Sequence, residues 1–189
     1  VIEMAEVDTA QDGQPQATTY FDTETWDPSL SKDEEASDSH EYIPRMAWTP
    51  EIDGQHRVWM FRMNRNQNEL DLLYGNPETG GVRTVLEEAN DTYIDVEDGK
   101  ISFLDDGEHF VFLSERSGYN HAYLYRNDGT ELGPVTDGEW EVGSFHGIDE
   151  ETLTAYFTAT KESSIERHLY RSEVLLDRHE TARDPEKVT

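Results

Sequence analysis

The sequence predicts an all-β chain, and three observations carry that prediction. Only "SEVLLDRHETARDPEK", near the end, has a pattern that suits a short helix. Elsewhere, short runs rich in Val, Leu, Phe, Tyr and Trp are bounded by Gly, Asp, Asn and Pro clusters, the pattern of strands and tight turns. The runs also recur in one layout. Trp48, Phe103 and Phe145 read as the anchors of equivalent first strands, at intervals of 55 and 42 residues. A repeat of roughly 40 to 55 residues is the range of four-stranded propeller blades. The expected architecture is therefore a partial β-propeller of four-stranded antiparallel blades, two complete units plus parts of two others.

Residues 1–41 read as part of a preceding blade and an acidic loop. Within them, Val1 to Val7 and Thr19 to Thr23 suit short strands, and "DPSLSKDEEASDSHE" is too polar to pack. The first full blade spans 42–88. "YIPRMAWT" reads as an edge-compatible strand because it carries Pro44. After the Asp53-Gly54 turn comes "HRVWMFRMNR", with Val58, Met60 and Arg62 on one face and Trp59, Phe61 and Met63 on the other. "ELDLLYGN", the turn "NPETGG" and "VRTVLEE" complete the unit. The second blade, 89–138, repeats the order with "KISFL", "HFVFLSER", "HAYLYRN" and "ELGPVTDG". A third, partial blade over 139–176 uses "VGSFHGI", "TLTAYFTATK" and "ERHLYRSEVL", and 177–189 reads as a polar tail.

The blade anchors are aromatic or aliphatic: Met60-Phe61, Val111-Phe112 and Tyr156-Phe157 in second strands. In third strands they are Leu72-Leu73-Tyr74, Tyr123-Leu124-Tyr125 and Leu169-Tyr170. Trp140 in "GEWEV" reads as a further packing anchor. An open set of blades leaves sheet faces bare, so the chain is expected to be a piece of a larger propeller or to associate with itself as a homo-oligomer. It begins at Val1-Ile2-Glu3-Met4 without an initiating Met, which fits a piece.

Composition narrows the function. Aspartate and glutamate number 42 against 15 lysines and arginines, for a net charge of −27. Such a surface repels nucleic-acid phosphate and anionic lipid, so neither is an expected partner. The acids are spread along the chain and Lys is scarce, which fits a salt-adapted source whose self-repulsion is screened. No apolar run is long enough to span a membrane. With no Cys, neither a disulfide framework nor a thiolate metal site exists. The seven His lack the i, i+4 spacing of a zinc site, and "DDGE" and "DVEDGK" lack the twelve-residue calcium loop. No cofactor is called for.

Five segments, in order, resemble one family: "YIPRMAWT" (42–49), "FRMNRNQNELDLL" (61–73), "FLSERSGYNHAYLY" (112–125), "TDGEWEV" (136–142) and "KESSIERHLY" (161–170). They are similar to the N-terminal propeller of bacterial dipeptidyl peptidase IV, within the prolyl oligopeptidase family of serine peptidases. The resemblance implies an eight-bladed propeller over a C-terminal α/β-hydrolase domain, which the propeller caps and to which it restricts entry. It implies removal of N-terminal dipeptides whose second residue is Pro or, less readily, Ala, through a Ser-His-Asp site. It also implies a periplasmic or extracellular location, with any membrane anchor outside this segment.

The catalytic part of that resemblance has no counterpart here. The chain contains no Gly-x-Ser-x-Gly elbow. Ser114, His121 and Asp128 lie seven apart and read as turn and strand-edge residues. Catalytic residues are therefore expected to be absent. The family's paired glutamates, which hold the substrate amine, are not assigned to Glu34-Glu35, Glu87-Glu88 or Glu150-Glu151. Tyr93 to Gly99 aligns with the segment that lines the outer substrate pocket in some members. Asp95 and Glu97 are the substrate-binding candidates there, although acids replace the family's aromatic and basic residues. The alternatives to a peptidase fragment are a stand-alone propeller-like interaction module and an inactive peptidase homologue.

Overall fold

The computed structural model describes residues 2–3, 20–21, 42–176 and 182–188. The chain divides into two compact units, Val1–Asp95 and Val96–Thr189.

In the first unit, β1 (Ile2–Glu3) pairs antiparallel with β2 (Tyr20–Phe21). Both fall inside expected strands, and the flanking residues of those strands lie outside the described residues. A four-stranded meander follows: β3 (Tyr42–Trp48), β4 (Val58–Met63), β5 (Glu69–Gly75) and β6 (Val82–Ala89). Its centre is β4 and β5, paired without a break from Val58↔Gly75 to Met63↔Leu70. Met60, Phe61, Leu72, Leu73 and Tyr74 are buried, so apolar residues fill both faces of the two central strands. That is how a strand reads when both faces are covered.

The second unit holds two such meanders. One is β7 (Ile101–Phe103), β8 (His109–Ser114), β9 (His121–Arg126) and β10 (Glu131–Pro134). The other is β11 (Val142–Asp149), β12 (Thr154–Ala159), β13 (His168–Glu173) and β14 (Glu186–Lys187). One buried cluster joins the two sheets. Val111, Leu113, Leu124 and Leu132 come from the first, Val142, Ala155, Phe157 and Tyr170 from the second, and Trp140 lies in the connection between them. The three sheets are the partial propeller of four-stranded antiparallel blades that the repeat predicted.

Three expectations need correction. Trp48 was expected to anchor a blade, but it is 45% exposed, and Phe103 and Phe145 are only half-buried. Each stands on the first strand of its sheet, which pairs on one side only, so less of its surface is covered. The third sheet was read as partial, yet β14 supplies a fourth strand through Tyr170↔Lys187 and Arg171↔Glu186. A two-residue Glu-Lys strand has no apolar alternation to reveal it. The helix expected near the end is absent from its described part: 174–176 and 182–185 are irregular and Glu186–Lys187 is strand, while 177–181 lie outside the described residues.

Candidate functional site

The polar residues singled out by sequence converge on the β8–β9 hairpin. Its turn needs Gly118, which sits at a φ of 95° where a side chain would be strained. The register sets Ser114 directly opposite His121, and both are fully buried. Their side chains are nevertheless occupied elsewhere. Ser114 Oγ accepts hydrogen bonds from the backbone N and Nε of Arg116, each at 3.1 Å.

The His121 ring is held at both nitrogens. Gly138 O, an acceptor only, lies 2.9 Å from Nε2, so Nε2 carries the proton. Thr136 Oγ1 lies 3.0 Å from Nδ1 and also accepts from Ala122 N at 3.0 Å, so its hydroxyl donates to Nδ1. A ring fixed in this way has no free lone pair for a serine proton. Asp128, the third residue of the spacing coincidence, accepts the backbone N–H of Thr130 at 2.8 Å in the next turn. The three residues therefore do not form a catalytic relay.

Arg116 is the hub of this face. Its guanidinium lies 4.1 Å from the Tyr123 ring centroid, donates from Nη1 to Glu131 Oε2 at 2.8 Å, and donates from Nη2 to the Tyr125 hydroxyl. Tyr125 in turn donates to Glu131 Oε2 at 3.2 Å. Burial pushes the Tyr125 phenol well above its ordinary range, and the nearby Arg116 opposes that shift. A protonated, fully engaged phenol is a structural strut, not a base.

The same hairpin ties its sheet to the next. Asn120 accepts the backbone N–H of Val142 on its own carbonyl and donates Nδ2 to Val142 O, both at 2.8 Å. The His121 ring meets the Trp140 indole edge-on at 4.9 Å. Trp140 stacks on Phe157 at 5.9 Å, and Phe157 stacks on Tyr170 at 6.2 Å. The expected anchoring role of Trp140 is thus seen directly.

The β7–β8 turn carries a histidine paired with a carboxylate. Asp106 Oδ2 lies 2.6 Å from His109 Nδ1, while Oδ1 accepts the backbone N–H groups of Glu108 and His109 at 2.7 and 3.0 Å. Burial alone would raise the Asp106 pKa, but these hydrogen bonds and the His109 charge outweigh it, and the net direction is down. A depressed carboxylate contributes stability that is present above its unfolded value, near 3.9. That contribution is lost as pH falls through the lower folded value. Asp106→Asn is therefore expected to lower the unfolding midpoint at neutral pH and to flatten its decline on acidification below about pH 4. Thermal unfolding of both proteins across that range checks this; parallel pH profiles would remove the role assigned to Asp106.

The substrate-binding candidates Asp95 and Glu97 are both exposed, on the irregular segment after β6. Asp95 ends the first unit and Glu97 lies in the second. Of the paired glutamates, Glu87-Glu88 lies on β6, while Glu150 caps a neighbouring turn by accepting Asp105 N at 2.6 Å. Glu34-Glu35 lies outside the described residues. Among the described residues, no three His, Asp or Glu side chains come together as a metal site. A cleft of about 370 Å³ beside β13 and β14 is lined by Arg171, Arg183, Glu173, Asp184 and Glu186, with Thr154 and Ser172. Its arginines face carboxylates already, Arg171 with Glu186 at 2.8 Å and Arg183 with Glu173 at 3.8 Å.

Three successive four-stranded meanders, the last two joined by an aromatic stack, define a β-propeller segment, with polar residues that brace turns instead of reacting. The chain belongs to the family described as the dipeptidyl peptidase IV N-terminal region, which it matches over residues 13–189. It is 32% identical over 134 residues to dipeptidyl peptidase 4 of Arthroderma otae, covering 68% of this chain and 17% of that protein. It is 29% identical over 181 residues to mouse dipeptidyl peptidase 8, covering 69% and 20%. The crystal structure of Porphyromonas gingivalis dipeptidyl peptidase 4 superimposes with a TM-score of 0.66 at 28% identity, over 78% of this chain and 20% of that one. The chain thus spans a fifth or less of the length of these relatives, which are fungal, mammalian and bacterial.

Proposed function

We propose that this chain is a non-catalytic propeller segment of a bacterial dipeptidyl peptidase IV-like serine peptidase. The parent enzyme removes N-terminal dipeptides with Pro, or less readily Ala, in second position, and the propeller gates access to its hydrolase site. The observation that carries this reading is the family match over residues 13–189, combined with three consecutive four-stranded sheets. The C-terminal hydrolase domain is the partner this reading requires. On this reading Asp95 and Glu97, on the propeller segment after β6, line the outer rim of the substrate entrance and favour peptides with a basic residue. A periplasmic or extracellular, salt-rich setting and self-association belong to the same proposal.

The test is to extend the reading frame past codon 189 and assay both products on Xaa-Pro anilides. The expected result is a downstream Gly-x-Ser-x-Gly followed by Asp and His, turnover by the long form and none by this chain. Turnover by the pure short chain would overturn the reading. So would an early stop codon or an elbow without Ser, which would leave an interaction module or an inactive homologue.

A further inference from the structure

The sequence contains six Asp-Gly pairs, five of them among the described residues, at 53–54, 98–99, 106–107, 128–129 and 137–138. Asp-Gly is the pair most prone to succinimide closure, because Gly leaves the following nitrogen unshielded and its backbone free to turn. Local geometry separates three of them, Asp106, Asp128 and Asp137. Asp106 and Asp128 direct their carboxylates to N–H groups two or three residues further on. Asp137 instead accepts the very next N–H, that of Gly138, on Oδ1 at 2.8 Å. Cγ, Cβ, Cα and C of Asp137 and N of Gly138 are the five atoms of a succinimide ring. The contact already folds them toward closure, and both residues are exposed to water.

The packing also explains why the pair persists. Gly138 sits at a φ of 138°, and a Cβ there would lie 2.2 Å from Trp140 Nε1. The seat of Trp140 therefore demands Gly at 138, and that Gly is what leaves Asp137 labile. The carbonyl of the same Gly138 holds His121 Nε2.

We infer that Asp137 is a site of spontaneous isoaspartate formation, and that its isomerisation unlocks the His121–Trp140 junction between the two sheets of the second unit. In the first step Gly138 N bonds to Asp137 Cγ. The amide proton and the hydroxyl of the protonated carboxyl leave together as water. In the second step water adds to the imide. Opening at the side-chain carbonyl restores aspartate, while opening at the main-chain carbonyl routes the chain through Cβ. The net change is an isomerisation with no oxidant or co-reactant. The extra backbone carbon displaces Gly138 O from His121.

The experiment incubates the 189-residue chain near neutral pH at a temperature well below its unfolding midpoint. Isoaspartate is quantified by peptide mapping and by carboxyl methylation with an isoaspartyl methyltransferase. Isoaspartate is expected to accumulate at Asp137 several-fold faster than at Asp106 and Asp128, and the difference should shrink in urea. The aged protein should lose the Trp140 near-ultraviolet signal in step with modification. Asp137→Glu, whose ring closure would need six members, should age without that loss. Equal rates at the three aspartates in the folded chain would overturn the site. Modification at Asp137 that leaves the Trp140 signal intact would overturn the unlocking.

Discussion

Phe157→Ala is expected to destabilise the second unit by about 3–5 kcal/mol, the usual cost of emptying a buried aromatic site. Phe157 is fully buried on the central strand β12 and lies between the Trp140 indole and the Tyr170 ring. Its neighbours belong to two different sheets, so the cavity would not be confined to one hairpin. Because Trp140 is also pinned edge-on against His121, the rings around the cavity have little freedom to collapse into it. Incomplete collapse puts a site at the costly end of the range. Against a typical stability of about 5–15 kcal/mol, this is a large fraction. Urea unfolding, followed by tryptophan fluorescence, measures it. Phe157→Leu should recover much of the loss, since it restores most of the volume. A loss below about 1 kcal/mol with an unchanged urea slope would show that the two sheets do not share a core.

The parts of the fold that were legible in the sequence are those where burial writes a pattern. The central strands carry dense apolar runs, such as "HFVFLS" in β8, and the turns carry Gly at positive φ. The illegible parts are those where pairing depends on backbone alone. β14 contributes two ladder positions and two charged side chains, so nothing in its composition distinguishes it from a tail. Trp48 misled for a related reason: residue type signals burial only when the strand is covered on both sides, and β3 pairs with β4 alone. In the candidate site, the sequence reads Ser114 and His121 as turn and strand-edge residues, and the register shows them facing one another at the end of the β8–β9 hairpin. What spacing does not carry is where the ring nitrogens point, and that depends on Thr136 and Gly138 in a later turn. The Asp95 and Glu97 candidates came from family resemblance, and their exposed positions on an irregular segment give them no local constraint to read.

Arg62→Met, on the central strand β4, is expected to cost a similar amount, about 3–5 kcal/mol, by a different mechanism. Arg62 donates from Nε at 3.0 Å and Nη2 at 2.5 Å to Asp71 Oδ2, and both side chains are largely buried, at 11% and 8% exposed. The two residues face one another across β4 and β5. On its other side Asp71 faces Glu87 of β6, so one row across the sheet reads Arg62, Asp71, Glu87. Removing the arginine takes the guanidinium away from the largely buried Asp71 carboxylate, in a row whose next member is the carboxylate of Glu87. The direct pair, by contrast, is expected to contribute little net stability, because desolvating two charges offsets most of their attraction. The double variant Arg62→Met with Asp71→Leu should therefore be far more stable than Arg62→Met alone, and close to the parent protein. Urea midpoints for the parent, the two single variants and the double variant form a thermodynamic cycle that measures the coupling. If Arg62→Met alone were neutral, the Asp71 charge would have to be reaching solvent, and the buried ion pair would not be holding this sheet. If the double variant were as unstable as either single one, the loss would lie in side-chain packing across β4 and β5, with charge playing no part.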